Sequence, residues 1–133
     1  MHINELTGQI IDSAMKVHSI LGPGLLESAY EACLAHELRS RGLRAEQQVL
    51  LPIEYEGMRL DAGYRLDLLV EDTVIAELKA VEKMHPIYEA QLLSYLKLSN
   101  LQVGLLVNFH EAHLKDGIKR IVNNYRGQLP GGQ

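Results

Sequence analysis

Three charged residues interrupt two apolar runs that are typical of buried strands. Asp67 lies in the run LDLLV, and Glu77 and Lys79 lie in the later run VIAELKA. A buried charge costs on the order of several kcal/mol unless a partner compensates it. The two runs therefore predict either a site at which these charges share a ligand or a strand whose charges face solvent.

The length of the turn between the two runs decides whether the acidic residues meet. A three-residue loop over 71–73 brings Asp67 opposite Glu77, whereas a two-residue loop places Asp67 on the other face of the sheet. Glu77 and Lys79 share a face in either case, because side chains alternate along a strand. Only the first register brings the two carboxylates and the lysine together.

A divalent cation is the ligand that suits the converging register. Two carboxylates that face each other repel unless a cation lies between them, and Mg²⁺ (or Mn²⁺) prefers oxygen ligands. Lys79 would then stand beside the ion, where an ammonium group can hold an attacking water or stabilise charge that develops on a phosphate. The tripeptide Glu77-Leu78-Lys79 by itself is more typical of an exposed ion pair, but its apolar flanks and the matching position of Asp67 favour the site.

The elements that position these residues follow from the spacing of apolar residues. The predicted helices cover residues 3–20, 25–41, 87–99 and 116–125. The predicted strands cover residues 46–53, 58–70, 74–81 and 102–109. The order α-α-β-β-β-α-β-α predicts an α/β fold (an α+β arrangement) in which a central mixed sheet is flanked by helices. Residues 1–126 are expected to form one domain, and residues 127–133 a flexible C-terminal tail.

Two predicted helices carry polar residues that could reach the same cleft. Glu27 and Tyr30 are three positions apart on the second helix, and Gln91 and Tyr95 are four apart on the third, so each pair is adjacent on its helix surface. A solvated glutamate beside a core tyrosine, and an amphipathic helix with a polar shoulder, are the simpler interpretations. The predicted buried face of the second helix comprises Leu26, Ala29, Tyr30 and Cys33.

Composition limits the class of protein. A chain of 133 residues can bury a core without disulfides, and the single cysteine fits a reducing compartment such as the cytoplasm. No apolar run approaches the roughly 20 residues that span a bilayer, so we expect no membrane association. A net charge of −4 argues against broad electrostatic binding of nucleic acid, but it is compatible with a site where a divalent cation neutralises phosphate locally.

With these residues assembled, the chain resembles the PD-(D/E)XK nuclease superfamily. Asp67 followed by Glu77-Leu78-Lys79 is similar to the motif that names the superfamily, although Leu66 stands where the motif has proline. The resemblance extends over roughly residues 3–125.

Two further motifs refine the resemblance. Gln91-x-x-x-Tyr95 is similar to the helix motif of the RecB-like exonuclease branch, and Gly24-x-x-Glu27-x-x-Tyr30 matches the signature of the small GxxExxY family. The ordered set of motifs, rather than any one of them, identifies the chain as a member.

The resemblance implies a PD-(D/E)XK nuclease-like core and a set of residue roles. Asp67 and Glu77 would be metal ligands together with the carbonyl of Leu78, and Glu27 would be an additional ligand or a supporting carboxylate. Lys79 would position the water or stabilise the transition state. Gln91 and Tyr95 would orient the lysine or contact the DNA backbone. The implied reaction is metal-assisted hydrolysis of a phosphodiester bond in nucleic acid, with DNA as the expected substrate.

Other interpretations remain open at this point. Lys119 and Arg120 belong to a basic C-terminal region that could contact phosphates, although a charged face on a short helix is the simpler interpretation. The chain could also be a nuclease fold that binds nucleic acid or a protein partner with little turnover, or a structural protein whose charges form surface pairs. A homodimer is possible, because small nucleases often pair to cut two strands.

Overall fold

A five-stranded mixed sheet with helices on both faces forms the centre of the chain. The computed structural model describes residues 1–124, so the predicted tail at 127–133 lies outside the described residues. The elements, in chain order, are α1 (Ile3–Leu21), α2 (Glu27–Ser40), β1 (Ala45–Leu50), β2 (Ile53–Tyr55), β3 (Met58–Leu60), β4 (Arg65–Val70), β5 (Val74–Lys79), α3 (Ile87–Ser99), β6 (Val103–Asn108) and β7 (Ile118–Val122). No helix in this part of the chain is both long and apolar enough to cross a bilayer.

The sheet has the strand order β1-β4-β5-β6-β7, while β2 and β3 form a separate hairpin. β5 and β6 are parallel, and the other neighbouring strands are antiparallel. Helix α3 connects the parallel pair, as such a crossover requires. The predicted mixed sheet flanked by helices is therefore confirmed.

Two apolar clusters hold the helices on the sheet. Side chains of α1 and α2 pack on one face with Leu68, Leu78 and Leu105. Side chains of α3 pack on the other face with Ile75 and Leu106. Every residue of β6 is buried, which agrees with its continuous apolar run and its place between β5 and β7.

Two local features position the site: helix α3, which the apolar spacing predicts, and the turn between β4 and β5, for which the sequence allows two lengths. Helix α3 spans Ile87–Ser99, as predicted, with Pro86 before it and Asn100 in a left-handed conformation after it. The loop over 71–73 closes the β4–β5 hairpin in the three-residue register, so that Val70 pairs with Val74 and Leu68 with Ala76.

The predicted helix over 116–125 is wrong for residues 116–124, and residue 125 lies outside the described residues. Residues 114–117 form a single 3-10 turn, and Ile118–Val122 form the edge strand β7, antiparallel to β6. Ile118 packs toward the α1 and α2 cluster and Ile121 toward the α3 cluster. Side chains three positions apart lie on opposite faces of a strand. The three-residue spacing that resembles a helix therefore places one isoleucine in each of the two apolar clusters.

The long strand predicted over 58–70 is divided. β3 ends at Leu60 and β4 begins at Arg65, and the connection includes Gly63 with φ +83, a left-handed conformation that glycine adopts readily. Pro52, which cannot donate a ladder hydrogen bond, similarly separates β1 from β2.

The buried face predicted for α2 is partly wrong. Tyr30 is buried, but its buried neighbours on the helix are Leu34, Ala35 and Leu38. Cys33 is exposed, and Leu26 is 77% exposed because it precedes the first helical residue. The helix is thus rotated about its axis relative to the prediction.

Candidate functional site

The two acidic residues of the hairpin meet where the pairing of β4 with β5 ends. The last paired residues are Leu68 and Ala76. Beyond them the strands separate, and each acidic side chain bonds the backbone of the other strand. Glu77 Oε2 accepts from the Asp67 N–H at 2.9 Å, and Asp67 Oδ2 accepts from the Leu78 N–H at 2.9 Å. Glu77 is only 5% exposed, which is inconsistent with the interpretation of this strand as an exposed ion pair.

The surroundings of the pair disfavour two negative charges. Burial, followed by the charge of Asp67, raises the pKa of Glu77 from 4.5 to about 8. Burial also raises the pKa of Asp67, and the charges of Glu31 and Glu27 add to that effect. At neutral pH the pair therefore retains a proton, which offsets one of the two negative charges. A cation that binds there would displace this proton and neutralise the carboxylates in its place.

Lys79 lies at the end of β5 and shares a face with Glu77. Its Nζ atom lies 4.5 Å from the centre of the Tyr88 ring, a cation–π contact with the first turn of α3. The positive charge of Lys79 also lowers the pKa of both acidic residues, in opposition to burial. The contact with Tyr88 has no signal in the sequence, because the two residues lie on elements that meet only in the folded chain.

Asn108 supports the chain segment that leaves the site. The Val81 N–H donates to Asn108 Oδ1 at 3.1 Å, and Asn108 Nδ2 donates to the Val81 carbonyl at 2.9 Å. The His110 N–H donates to the same Oδ1 atom at 3.2 Å. Asn108 is buried and faces Lys79 across the parallel β5–β6 pair. It is a site-supporting residue that sequence reasoning missed.

Helix α2 places two glutamates near the acidic pair. Glu27 is the first residue of the helix and is exposed, and Glu31 follows one turn later and is half-buried. Of the two, Glu31 has the larger effect on the pKa of Asp67. Within residues 1–124, no three His, Cys, Asp or Glu side chains are close enough together to hold a metal ion. Glu27 is therefore near the pair but is not gathered with it as a third ligand.

Two glutamines of β1 bind Glu31, and one of them, Gln48, also reaches the acidic pair. Gln47 Nε2 donates to Glu31 Oε2 at 3.0 Å, and Gln48 Nε2 donates to Glu31 Oε1 at 2.6 Å. Gln48 Nε2 also lies 3.4 Å from Asp67 Oδ1. Sequence reasoning missed Glu31, although it is four residues after Glu27 and so shares its helix face. It also missed both glutamines, for which the strand pattern alone has no distinguishing signal.

Helix α3 brings Tyr95 close to the pair, with Gln91 one turn before it. Tyr95 is 7% exposed, and its ring centre lies 6.2 Å from that of Tyr64. Burial, followed by the charge of Glu77, raises the pKa of Tyr95. Gln91 is half-buried one turn earlier, and in the described part of the chain its side chain forms no hydrogen bond with the acidic residues.

Lys119 and Arg120 lie on β7 rather than on a helix, two strands away from β5. Lys119 forms an exposed ion pair with Glu89 at 3.0 Å. Arg120 pairs with Leu105 in the sheet register and so points to the opposite face from Lys119. The structure does not bring either residue into the acidic site.

The segment that leads into α2 is fastened by Tyr30. The Tyr30 hydroxyl donates to the Gly22 carbonyl at 2.6 Å and accepts from the Leu25 N–H at 3.0 Å. Its ring stacks on Phe109 with centres 4.4 Å apart. Gly24 has φ +104, a left-handed conformation that disfavours other residues. The glycine and the tyrosine therefore set the start of the helix, and with it the position of Glu27.

The donor atoms of the site are those that a hard divalent cation prefers. Asp67 and Glu77 supply carboxylate oxygens. The Leu78 N–H points toward β4, and the carbonyl of the same strand residue points the same way. Asp67, Glu77 and the Leu78 carbonyl are therefore the groups that could hold such a cation, and within residues 1–124 no cysteine or histidine is gathered with them.

A comparison with protein-family models agrees with this chemistry. The model described as the PD-(D/E)XK nuclease superfamily matches residues 4–121, which include every residue of the site. Comparisons with curated proteins and with solved structures found no match.

Proposed function

The chain belongs to the PD-(D/E)XK nuclease superfamily, and from this premise we propose that it is a metal-dependent nuclease that hydrolyses phosphodiester bonds of DNA. The observation that carries the proposal is the meeting of a buried carboxylate, Glu77, with a half-buried one, Asp67, beside Lys79. Within the superfamily, the motifs at Gly24-x-x-Glu27-x-x-Tyr30 and Gln91-x-x-x-Tyr95 favour the GxxExxY family and the RecB-like branch.

In this proposal the acidic residues bind the metal ion. Asp67, Glu77 and the Leu78 carbonyl hold Mg²⁺ or Mn²⁺, which when bound polarises the phosphate and lowers the pKa of a bound water. The raised pKa values of Asp67 and Glu77 support this role, because a site that disfavours two negative charges gains most from a cation. Glu27 is proposed as a supporting carboxylate on the open side of the site.

Lys79 has the catalytic role. Its ammonium group is held at Tyr88 on the face that Glu77 shares, where it can orient the attacking water and stabilise the charge that develops on the phosphate. Tyr95 is buried beside the acidic pair, which supports a role in orienting the site, with any contact to the DNA backbone limited to its hydroxyl. Gln91, one turn earlier, is proposed to approach the lysine or the DNA once substrate is bound.

Contacts with the DNA backbone away from the site are assigned to Lys119 and Arg120. Both lie on the edge strand β7, and Lys119 is exposed. Phosphate contacts of this kind position a duplex without reading its sequence.

The proposed partners are DNA and a second copy of the chain. A single site cuts one strand at a time, so pairing of two copies would allow both strands to be cut. Sedimentation velocity with and without duplex DNA tests the pairing. The proposed location is the cytoplasm, because the exposed thiol of Cys33 suits a reducing compartment.

A second candidate function is a nuclease fold that binds nucleic acid or a protein partner with little or no turnover. One observation favours it: in the part of the chain that the structure describes, no three His, Cys, Asp or Glu side chains are close enough together to hold a metal ion. Calorimetry separates the two functions, because the nuclease binds Mn²⁺ and the binding module binds DNA without it.

The test of the nuclease is cleavage of linear and circular DNA by the pure protein with Mg²⁺ or Mn²⁺. We expect Glu77→Ala and Lys79→Ala each to lower the rate on the order of 10²- to 10³-fold. The matched controls are Glu82→Ala and Lys83→Ala, which remove an exposed carboxylate and an exposed ammonium group close by in the chain. Cleavage that survives both site substitutions would refute the proposal.

A further inference from the structure

Gln48 has an unusual backbone conformation for a residue in the middle of a strand. Its φ is +53, in the left-handed region, although its neighbours Gln47 and Val49 remain in register with β4. This conformation is unfavourable for residues with a Cβ atom other than Asn or Asp, and such outliers persist only where the surrounding structure holds them. The flanking pairs, Gln47 with Leu68 and Val49 with Leu66, leave Gln48 opposite Asp67 at a break in the regular pairing. Asp67 carries a carboxylate of the proposed ion site.

The left-handed residue changes where the side chains of β1 point. Adjacent strand residues normally project to opposite faces, yet Gln47 and Gln48 both donate to Glu31 on α2. The strand across from them is affected as well. Leu66 packs in the α3 cluster and Leu68 in the α1 and α2 cluster, although residues two apart normally share a face. The β1–β4 ribbon therefore twists sharply at Gln48 and Asp67, where β4 also separates from β5.

The side chain of Gln48 bridges two carboxylates. Its amide nitrogen lies 2.6 Å from Glu31 Oε1 and 3.4 Å from Asp67 Oδ1. An amide has two N–H donors and no charge, so it can orient a carboxylate without neutralising it. A lysine at this position would also orient Asp67, but its charge would oppose a cation. A neutral donor is therefore the group that suits a carboxylate whose function is to bind a cation.

We propose that Gln48 is a positioning residue, whose left-handed backbone and bridging amide hold the Asp67 carboxylate in its place between β4 and β5. The expected consequence is tighter binding of the metal ion, and this part of the proposal rests on the proposed function. The positioning of the Asp67 carboxylate itself requires no bound metal. When the amide is present, Asp67 Oδ2 stays on the Leu78 N–H; when it is lost, that hydrogen bond opens more often.

The first test measures amide hydrogen exchange at Leu78 in the metal-free protein. Gln48→Gly removes the amide and tolerates the left-handed backbone. We expect exchange at the Leu78 N–H to become about tenfold faster, while exchange at Ala76, which is paired with Leu68 in the ladder, is unchanged. Gln48→Asn also tolerates this conformation but has an amide one methylene short of Asp67, so it should behave like Gln48→Gly and serves if the glycine variant does not fold.

The matched control is Gln47→Ala, which removes a donor to Glu31 that does not reach Asp67. Exchange at Leu78 should stay as in the wild type. The proposal would be overturned by an unchanged exchange rate at the Leu78 N–H in Gln48→Gly. An equal rise of that rate in Gln47→Ala would overturn it as well.

The second test measures Mn²⁺ affinity by calorimetry. We expect Gln48→Gly to bind about tenfold more weakly, the effect typical of lost partners around a metal ligand, and Gln47→Ala to bind as the wild type does. Wild-type affinity in Gln48→Gly would overturn the role in ion binding. If the wild type itself binds no Mn²⁺, the proposed function fails, and exchange at Leu78 still decides whether Gln48 positions Asp67.

Discussion

Replacing Glu77 by glutamine should stabilise the metal-free protein at neutral and alkaline pH. Burial and the charge of Asp67 raise the pKa of Glu77 from 4.5 to about 8. Between these values the unfolded chain loses the proton and the folded chain keeps it, so the free energy of unfolding falls as the pH rises. Glutamine does not titrate, and its Oε1 atom can still accept from the Asp67 N–H.

The size of the effect follows from the two pKa values. A rise from 4.5 to about 8 corresponds to a loss of on the order of 5 kcal/mol across the interval. Below the lower value both states are protonated, so this contribution to stability is fully present. Above the upper value both states are ionised, and the loss stays at its maximum. Because Glu77 is only 5% exposed, solvent screens little of this difference.

The assay is urea denaturation of wild type and Glu77→Gln in the presence of a chelator, at about pH 5, 7 and 9. We expect the variant to gain stability over the wild type as the pH rises, with little further gain above about pH 8. The exposed Glu82→Gln variant is the control and should show no such trend. A difference between Glu77→Gln and wild type that does not change with pH would refute the reasoning. With saturating Mn²⁺ the order should reverse, because only the wild type retains both carboxylate ligands.

Three further substitutions test how the site is held. Tyr30→Phe keeps the ring stack but leaves the Leu25 N–H without its partner, and should lower the free energy of unfolding by about 1–3 kcal/mol; an unchanged denaturation midpoint would contradict this role. Asn108→Leu removes the hydrogen bonds to Val81 and should cost about 3 kcal/mol in the same assay, whereas a neutral substitution would show that the bonds are dispensable. Tyr88→Leu removes the aromatic ring beneath the ammonium group and should lower the DNA cleavage rate about two- to fivefold, with Tyr88→Phe retaining it; equal rates in the two variants would exclude the cation–π contact.

Local patterns predicted much of the fold and the central part of the site. Helix α3 follows from its apolar spacing and from Pro86 before it. Strand parity restricts the meeting of Asp67 and Glu77 to one of two turn lengths, and the structure has the three-residue turn that brings them together. Strand parity also shows that Glu77 and Lys79 share a face.

The errors and omissions have a common physical origin. Ile118 and Ile121 have the spacing of a helix, but their segment pairs with β6 as an edge strand. In that strand the two side chains pack against apolar clusters on opposite faces of the sheet. The left-handed conformation of Gln48 has no local cause of the kind that a glycine would supply, and it persists beside contacts to Glu31 on another element.

The sequence by itself determined which acidic residues can meet and which lysine lies beside them, because turn length and strand alternation act over a few residues. Only the tertiary structure decided that Glu31, Gln48 and Tyr88 surround them. Those contacts join residues that are distant along the chain, and they form only when helices pack on both faces of the sheet.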